Sequence, residues 1–143
     1  MKITKDYIVG LVDGEGSFTV YVKNPESITK TVRRVKAEPK FYLKLIEKDK
    51  IILYQLQKFF GCGNIYFQKE NRPNHQQCYR YEVNNRFDLE KIIIPFFKRN
   101  SLKFVSKRND FKLFCKIFTK IKKGEHLTKE GLKKIFKIKQ LMH

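Results

Sequence analysis

Residues Tyr7 to Phe18 read Tyr-Ile-Val-Gly-Leu-Val-Asp-Gly-Glu-Gly-Ser-Phe, and this dozen limits the fold more than any other part of the chain. Its apolar residues recur at helical spacing, and Gly10 and Gly14 fall four apart on one face of that helix. A face of bare backbone lets a second helix come close, which side chains of ordinary size prevent. Glu15 stands between Gly14 and Gly16, glycines that free the backbone to turn as the helix ends. The last carbonyls of a helix lack partners and lie at the negative end of its dipole. A carboxylate beside such oxygens suits a hard divalent cation. The plain alternative is a glycine-capped core helix leading into a turn and a strand, and the dozen alone leaves both readings open.

A chain of 143 residues is expected to form one domain, residues 1–143, with room for a single core. The formal net charge is +18, from 32 Lys and Arg against 14 Asp and Glu. An excess of that size predicts a polyanionic partner, held less tightly as salt rises. Cys62, Cys78 and Cys115 are too scattered for a disulfide framework or a zinc site, which points to a reducing, intracellular setting. Residues 1–10 lack the apolar run of a secretory signal, and no stretch is long enough to be a membrane span. Neither a linker nor an internal repeat divides the chain.

Thr4 is a predicted N-cap for a helix over about Lys5–Gly14. Strict alternation follows, with Phe18, Val20 and Val22 on one side and Ser17, Thr19, Tyr21 and Lys23 on the other, the pattern of a half-buried strand. After a loop to about Thr31, a second strand is expected over about Val32–Leu45, with Phe41, Leu43 and Leu45 inward. Asp49 is expected to cap a helix reaching Phe60, buried through Ile52, Leu53, Leu56 and Phe59/Phe60, and Gly61 ends it. A third strand alternates Ile65 and Phe67 against Asn64, Tyr66 and Gln68. A fourth, about Cys78–Val83, places Tyr79, Tyr81 and Val83 inward and Arg80 and Glu82 outward. Asp88 is expected to cap the next helix, which Pro95 should end or kink. Two further helices begin at Ser106 and Thr128, the last with a stripe of Leu132, Ile135, Phe136, Ile138 and Leu141. The order αββαββα plus late helices is an α+β fold, a four-stranded antiparallel sheet with helices on one face.

The opposite face collects Lys23, Arg33, Arg34, Lys36, Lys40, Lys44, Arg72 and Arg80, with Ser17, Thr19, Tyr21, Glu38, Tyr42, Asn64, Tyr66 and Gln68 among them. Arg and Lys hold phosphates or read guanine, Asn and Gln pair with adenine, and a β-ribbon fits the major groove. A solvated, lysine-rich sheet face is the ordinary alternative. The tyrosines and the nearly uniform sign of charge favour double-stranded DNA.

Ile8-Val9-Gly10-Leu11-Val12-Asp13-Gly14-Glu15-Gly16, continued by Ser17-Phe18, resembles the signature of the LAGLIDADG homing endonucleases. Phe59-Phe60-Gly61-Cys62-Gly63-Asn64-Ile65 is similar to that family's junction between helix and third strand. Ile94-Pro95-Phe96-Phe97 is similar to its next landmark, and Leu127 to Ile135 with Met142 to its tail. Four matches in order cover nearly the whole chain. The resemblance implies a curved, saddle-shaped sheet in the major groove and metal-dependent hydrolysis of both strands across the minor groove, leaving 3′ overhangs. It implies that Glu15 and the backbone carbonyl of Gly14 hold the metal. It also implies a catalytic lysine near the start of the helix after the Pro-Phe-Phe landmark, where Lys107 stands. A cation there can polarise a phosphate.

Only one signature is present, and one helix cannot cover its own glycine face. The expected partner is a second copy of the chain, meeting it through Tyr7, Val9, Gly10, Asp13 and Gly14. Such a homodimer brings two Glu15 side chains together, able to share Mg²⁺, with Ca²⁺ or Mn²⁺ as substitutes in binding. Two-fold pairing predicts a pseudo-palindromic site of about 20 bp. Two positions depart from the family pattern: Leu45 stands where some single-motif relatives place a water-positioning glutamine, and Asp49 where they can have a basic residue.

A splicing cofactor that binds the RNA of its own intron is the alternative function, with Lys112, Lys116, Lys120, Lys122 and Lys123 as its surface; the presence of Glu15 favours cutting. A transcriptional regulator on this scaffold would need an added DNA-binding domain, and a basic ribosome-like structural protein has no use for a carboxylate between glycines. The many Lys, Ile, Phe and Asn residues suggest an AT-rich genome, as in an organelle or some bacteria.

Overall fold

The computed structural model describes residues 2–27 and 37–143. Its elements run in chain order: α1 (Lys5–Glu15), β1 (Gly16–Val22), β2 (Ala37–Ile46), α2 (Lys50–Phe60), β3 (Asn64–Gln68), β4 (Cys78–Val83), α3 (Arg86–Asp88), α4 (Ile94–Arg99), α5 (Val105–Lys122) and α6 (Lys129–Lys139). The four strands form one antiparallel sheet in the order β1-β2-β4-β3, the α+β architecture expected. The part of β2 expected from Val32, together with Arg33, Arg34 and Lys36, lies outside the described residues.

The described residues divide into two compact units, 2–17 with 40–104, and 18–27 and 37–39 with 105–143. In the first, Phe41 pairs with Val83, Leu43 with Tyr81 and Leu45 with Tyr79 across β2 and β4. That register sends Phe41, Leu43, Tyr81 and Val83 to one face, where they are buried. Aromatic rings continue this core: Phe41 packs on Phe97, and Phe60 meets Phe96 edge-on and Phe97 at a tilt. Phe59, expected in the same stripe, is 39% exposed because it stands at the margin, against Phe60 and Phe96. The Tyr81 hydroxyl donates to the Cys62 carbonyl at 2.9 Å, and burial pushes its phenol far above the ordinary value. A Cβ at Gly63 (φ +92°) would stand 2.5 Å from the Tyr81 ring, so the turn there needs glycine twice over.

The second unit has its own core. Phe18 packs against Phe111 and Phe114, and Phe114 stacks on Phe118. Leu132 and Ile135 of α6 are buried, whereas Leu141, expected in that stripe, lies past the helix end and is exposed.

Helix ends follow local chemistry, with three corrections. The Thr4 hydroxyl accepts from the Tyr7 N–H and the Thr128 hydroxyl from that of Gly131, as their sequence positions predict. Asp88 does not cap the helix after β4. Asn85 does, accepting from the Asp88 N–H at 3.0 Å, so the helix begins a turn earlier. Asp49 makes no side-chain cap either, because a 3₁₀ turn over Glu47–Asp49 already leads into α2. Pro95 does not end its helix. A π turn over Leu89–Ile93 joins α3 to α4 directly ahead of it. The proline ring would collide with the carbonyl four residues back and offers it no N–H, and a widened turn relieves both.

Candidate active site and nucleic-acid interface

Glu15 is the last residue of α1 and Gly16 the first of β1, so the helix passes into the strand with no loop between. The expected use of glycine freedom fails at Gly16, whose φ of −81° any residue adopts. What excludes a side chain there is space: a Cβ would stand 2.7 Å from Val12 Cγ1 and 3.0 Å from Val12 Cα. Gly10 and Gly14 differ. A Cβ at either would meet nothing within 4 Å, so no described residue requires glycine at these exposed positions.

The Glu15 side chain is exposed and makes no hydrogen bond or ion pair with another described residue. The described residues contain no group of three or more His, Cys, Asp or Glu that could hold a metal ion. One carboxylate with the Gly14 carbonyl beside it is still a hard oxygen set, and Mg²⁺ is commonly bound through one or two carboxylates plus substrate phosphate and water. Those residues fit such an ion once a substrate phosphate and a second carboxylate are supplied.

Asp13 faces the other way. It is 3% exposed, and its carboxylate accepts from the backbone N–H of Lys103 (3.1 and 3.0 Å) and of Phe104 (3.1 Å). Val9 is also buried within the single chain, leaving Tyr7, Gly10 and Gly14 as the exposed members of the expected interface set. A cavity of about 510 Å³ is lined by Lys2, Ile3, Gln55, Lys58 and Phe59 and not by Glu15. Lys107 lies in the first turn of α5, half-buried, in the second unit.

Several of the residues expected on the sheet face opposite the core lie there, while Arg33, Arg34 and Lys36 are outside the described residues. In the first unit Tyr42 pairs with Glu82, Lys44 with Arg80, Asn64 with Glu82 and Tyr66 with Arg80, so all six share one face, and Gln68 continues it on β3. In the second unit Tyr21 is 56% exposed, Thr19 and Lys23 are half-exposed, and the Lys139 ammonium donates to the Thr19 hydroxyl at 3.3 Å. Ser17 and Lys40 are half-exposed and Glu38 is exposed.

Its charge is less uniform than the sequence suggests. Glu70 binds the Lys44 ammonium at 3.3 Å and Arg72 Nε at 3.2 Å. The hydrogen bond from Lys44, then that from Arg72, holds its carboxyl below the usual range. The Gln77 side chain closes the same loop, accepting from the Glu70 N–H and donating to its carbonyl. Glu82, expected outward, is on that face yet only 8% exposed, because Arg80, Tyr66 and Asn84 converge on it. Burial, then the hydrogen bond to Glu82, raises the Tyr66 phenol. Among the late lysines, Lys120 pairs with Glu125 at 3.5 Å.

Comparison with known proteins bears on the family and the fold. The family model described as LAGLIDADG endonuclease matches residues 8–118. A probable intron-encoded endonuclease of Neurospora crassa is 34% identical over 137 residues, 94% of this chain but 24% of that protein. The chain thus spans about a quarter of the length of that curated relative. The crystal structure of the homing endonuclease I-TnaI superposes with a TM-score of 0.82 at 39% identity, covering 100% of this chain and 90% of that one. I-SmaMI bound to uncleaved DNA target in the presence of calcium ions gives a TM-score of 0.80 at 34% identity, covering 96% of this chain and 44% of that one.

Proposed function

The chain belongs to the LAGLIDADG endonuclease family, and on that footing we propose that it is a homing endonuclease that cuts both strands of a long DNA site as a homodimer, with 3′ overhangs. The observation that carries this is the α1 terminus: an exposed carboxylate at Glu15, at the end of a helix whose Gly10 and Gly14 are not needed by packing against any described residue. Bare backbone at Gly10 and Gly14 lets a second copy of α1 approach and set its own Glu15 beside the first. I-TnaI, matched over 90% of its length, supports a one-motif chain, and I-SmaMI, matched over 44%, supports a chain equivalent to half of a larger protein. Its DNA-bound state with calcium supports DNA as substrate and a divalent cation, Mg²⁺ by preference here.

A divalent cation held by Glu15 and the Gly14 carbonyl would supply Lewis acidity and a water of lowered pKa. The chain's part is positional. Two Glu15 carboxylates would each serve one strand, and the exposed sheet face would fix the register on the major groove. Lys107, at the start of a helix where a cation gains nothing from the dipole, would stabilise charge on the phosphate. A net charge of +18 draws the polyanion in, with affinity that falls as salt rises.

The test is double-strand cleavage of sites selected from a randomised duplex library, in Mg²⁺ and then in Ca²⁺. The wild-type chain should cut in Mg²⁺, and Glu15→Gln should bind the same duplexes and cut none. A Glu15→Gln chain that still cuts would remove Glu15 from the reaction.

A further inference from the structure

Arg80 is fixed before any substrate arrives. Its guanidinium carbon lies 3.7 Å over the centre of the Tyr42 ring. Its Nε and Nη2 both donate to Glu82 Oε1, at 3.0 and 2.8 Å. Glu82 is held in turn: the Tyr66 hydroxyl donates to Oε1 at 3.0 Å and the Asn84 amide to Oε2 at 3.0 Å. The pairing of Tyr42 with Glu82 and of Tyr66 with Arg80 puts the cluster on three adjacent strands of one face.

A surface arginine normally gives up rotamer freedom when it binds, and this one has already given it up. Glu82 occupies the Nε/Nη2 edge, and no described acceptor takes the Nη1 edge. The Nη1 proton and the outer Nη2 proton form a second fork, two parallel donors. Guanine offers two acceptors, O6 and N7, to such a fork in the major groove, whereas adenine sets a donor beside its N7. An ion pair that only braced the sheet would not need a stacked guanidinium with that edge uncommitted.

We propose that Arg80 reads guanine and that Glu82 positions it, so that each half of the target carries one guanine fixed by this pair. The inference rests on the reading of the chain as a paired DNA endonuclease and adds a base identity to it.

The full chain is used to retain duplexes from a library randomised across the site, and the retained pools are sequenced. The wild-type pool should show guanine at one symmetric pair of positions. Arg80→Lys keeps the charge and loses the fork, so guanine preference at that pair alone should fall about 5- to 150-fold, with the salt dependence of binding unchanged. Glu82→Gln should lower the same preference part-way. Tyr42→Leu, which removes the stack, should do likewise and serves if Glu82→Gln fails to fold by circular dichroism. Loss spread evenly over all sequences in Arg80→Lys would mean a phosphate contact and overturn the proposal. An unchanged guanine profile in Arg80→Lys, or in Tyr42→Leu, would overturn it also. A wild-type chain that retains no duplex would instead refute the proposed function, and this inference with it.

Discussion

Replacing Gly10 with alanine separates what a single chain requires from what a second copy requires. Gly10 lies inside α1, and a Cβ there would meet no atom of the described residues within 4 Å. Alanine is about 0.8–1 kcal/mol more favourable than glycine in a helix interior. The isolated chain should therefore gain about 1 kcal/mol, a rise in Tm of about 3 °C at this size. Association should move the other way. Each dimer gains two methyl groups where two backbones meet, and overpacking costs about 1–3 kcal/mol per site. At the low end, about 2 kcal/mol, the dimer dissociation constant rises about 30-fold. Sedimentation equilibrium gives that constant, and thermal unfolding below it gives the single-chain effect. Gly16→Ala is the control of opposite sign, since its Cβ would press on the backbone and side chain of fully buried Val12; it should lower stability by about 1–3 kcal/mol. A Gly10→Ala chain that is less stable when monomeric, or that dimerises as tightly as wild type, would refute the argument.

Other outcomes follow from the same structure. Asp13→Ala strips the acceptor from two backbone N–H groups and should cost about 2 kcal/mol, read as a lower urea midpoint with unchanged slope, with Asp13→Asn losing less. The Glu70 carboxyl titrates below its unfolded value, so its contribution is present above the unfolded value and is lost as pH falls through the folded one. Glu70→Gln should therefore show a shallower fall in Tm than wild type from about pH 5 to pH 3. Lys107→Ala should lower the single-turnover cleavage rate about 10²-fold or more while DNA affinity changes little; an unchanged rate would remove Lys107 from the site.

Much of the fold is written in local patterns. Alternation in Phe18–Val22 and Cys78–Val83 gives both strands and the correct inward side, and Thr4, Gly61 and Thr128 mark helix ends through chemistry confined to a few residues. What escapes the sequence depends on partners far along the chain. Asp13 reads as a signature residue facing a second copy, yet its carboxylate goes to backbone ninety residues away, at Lys103 and Phe104. Glu82 stands two residues from the arginine it holds, but the Tyr66 hydroxyl that also binds it comes from the neighbouring strand, and Glu70 takes Lys44 from β2 besides nearby Arg72. The choice of Asn85 over Asp88 as cap is local, but both residue types suit that role and the structure decides between them. Gly16 shows the same limit: its neighbours suggest a flexible turn, and the actual constraint is the space beside Val12.

The central claim is that two copies contribute one Glu15 each to a single double-strand break, and mixing tests it directly. Wild-type and Glu15→Gln chains are unfolded together in equal amounts, refolded and assayed on a selected target in Mg²⁺. If both carboxylates are needed, double-strand cleavage should fall to about a quarter of the wild-type rate, and the mixed dimers should nick one strand. A fall to about one half, with no nicked product, would mean that each copy cuts alone and would contradict the account.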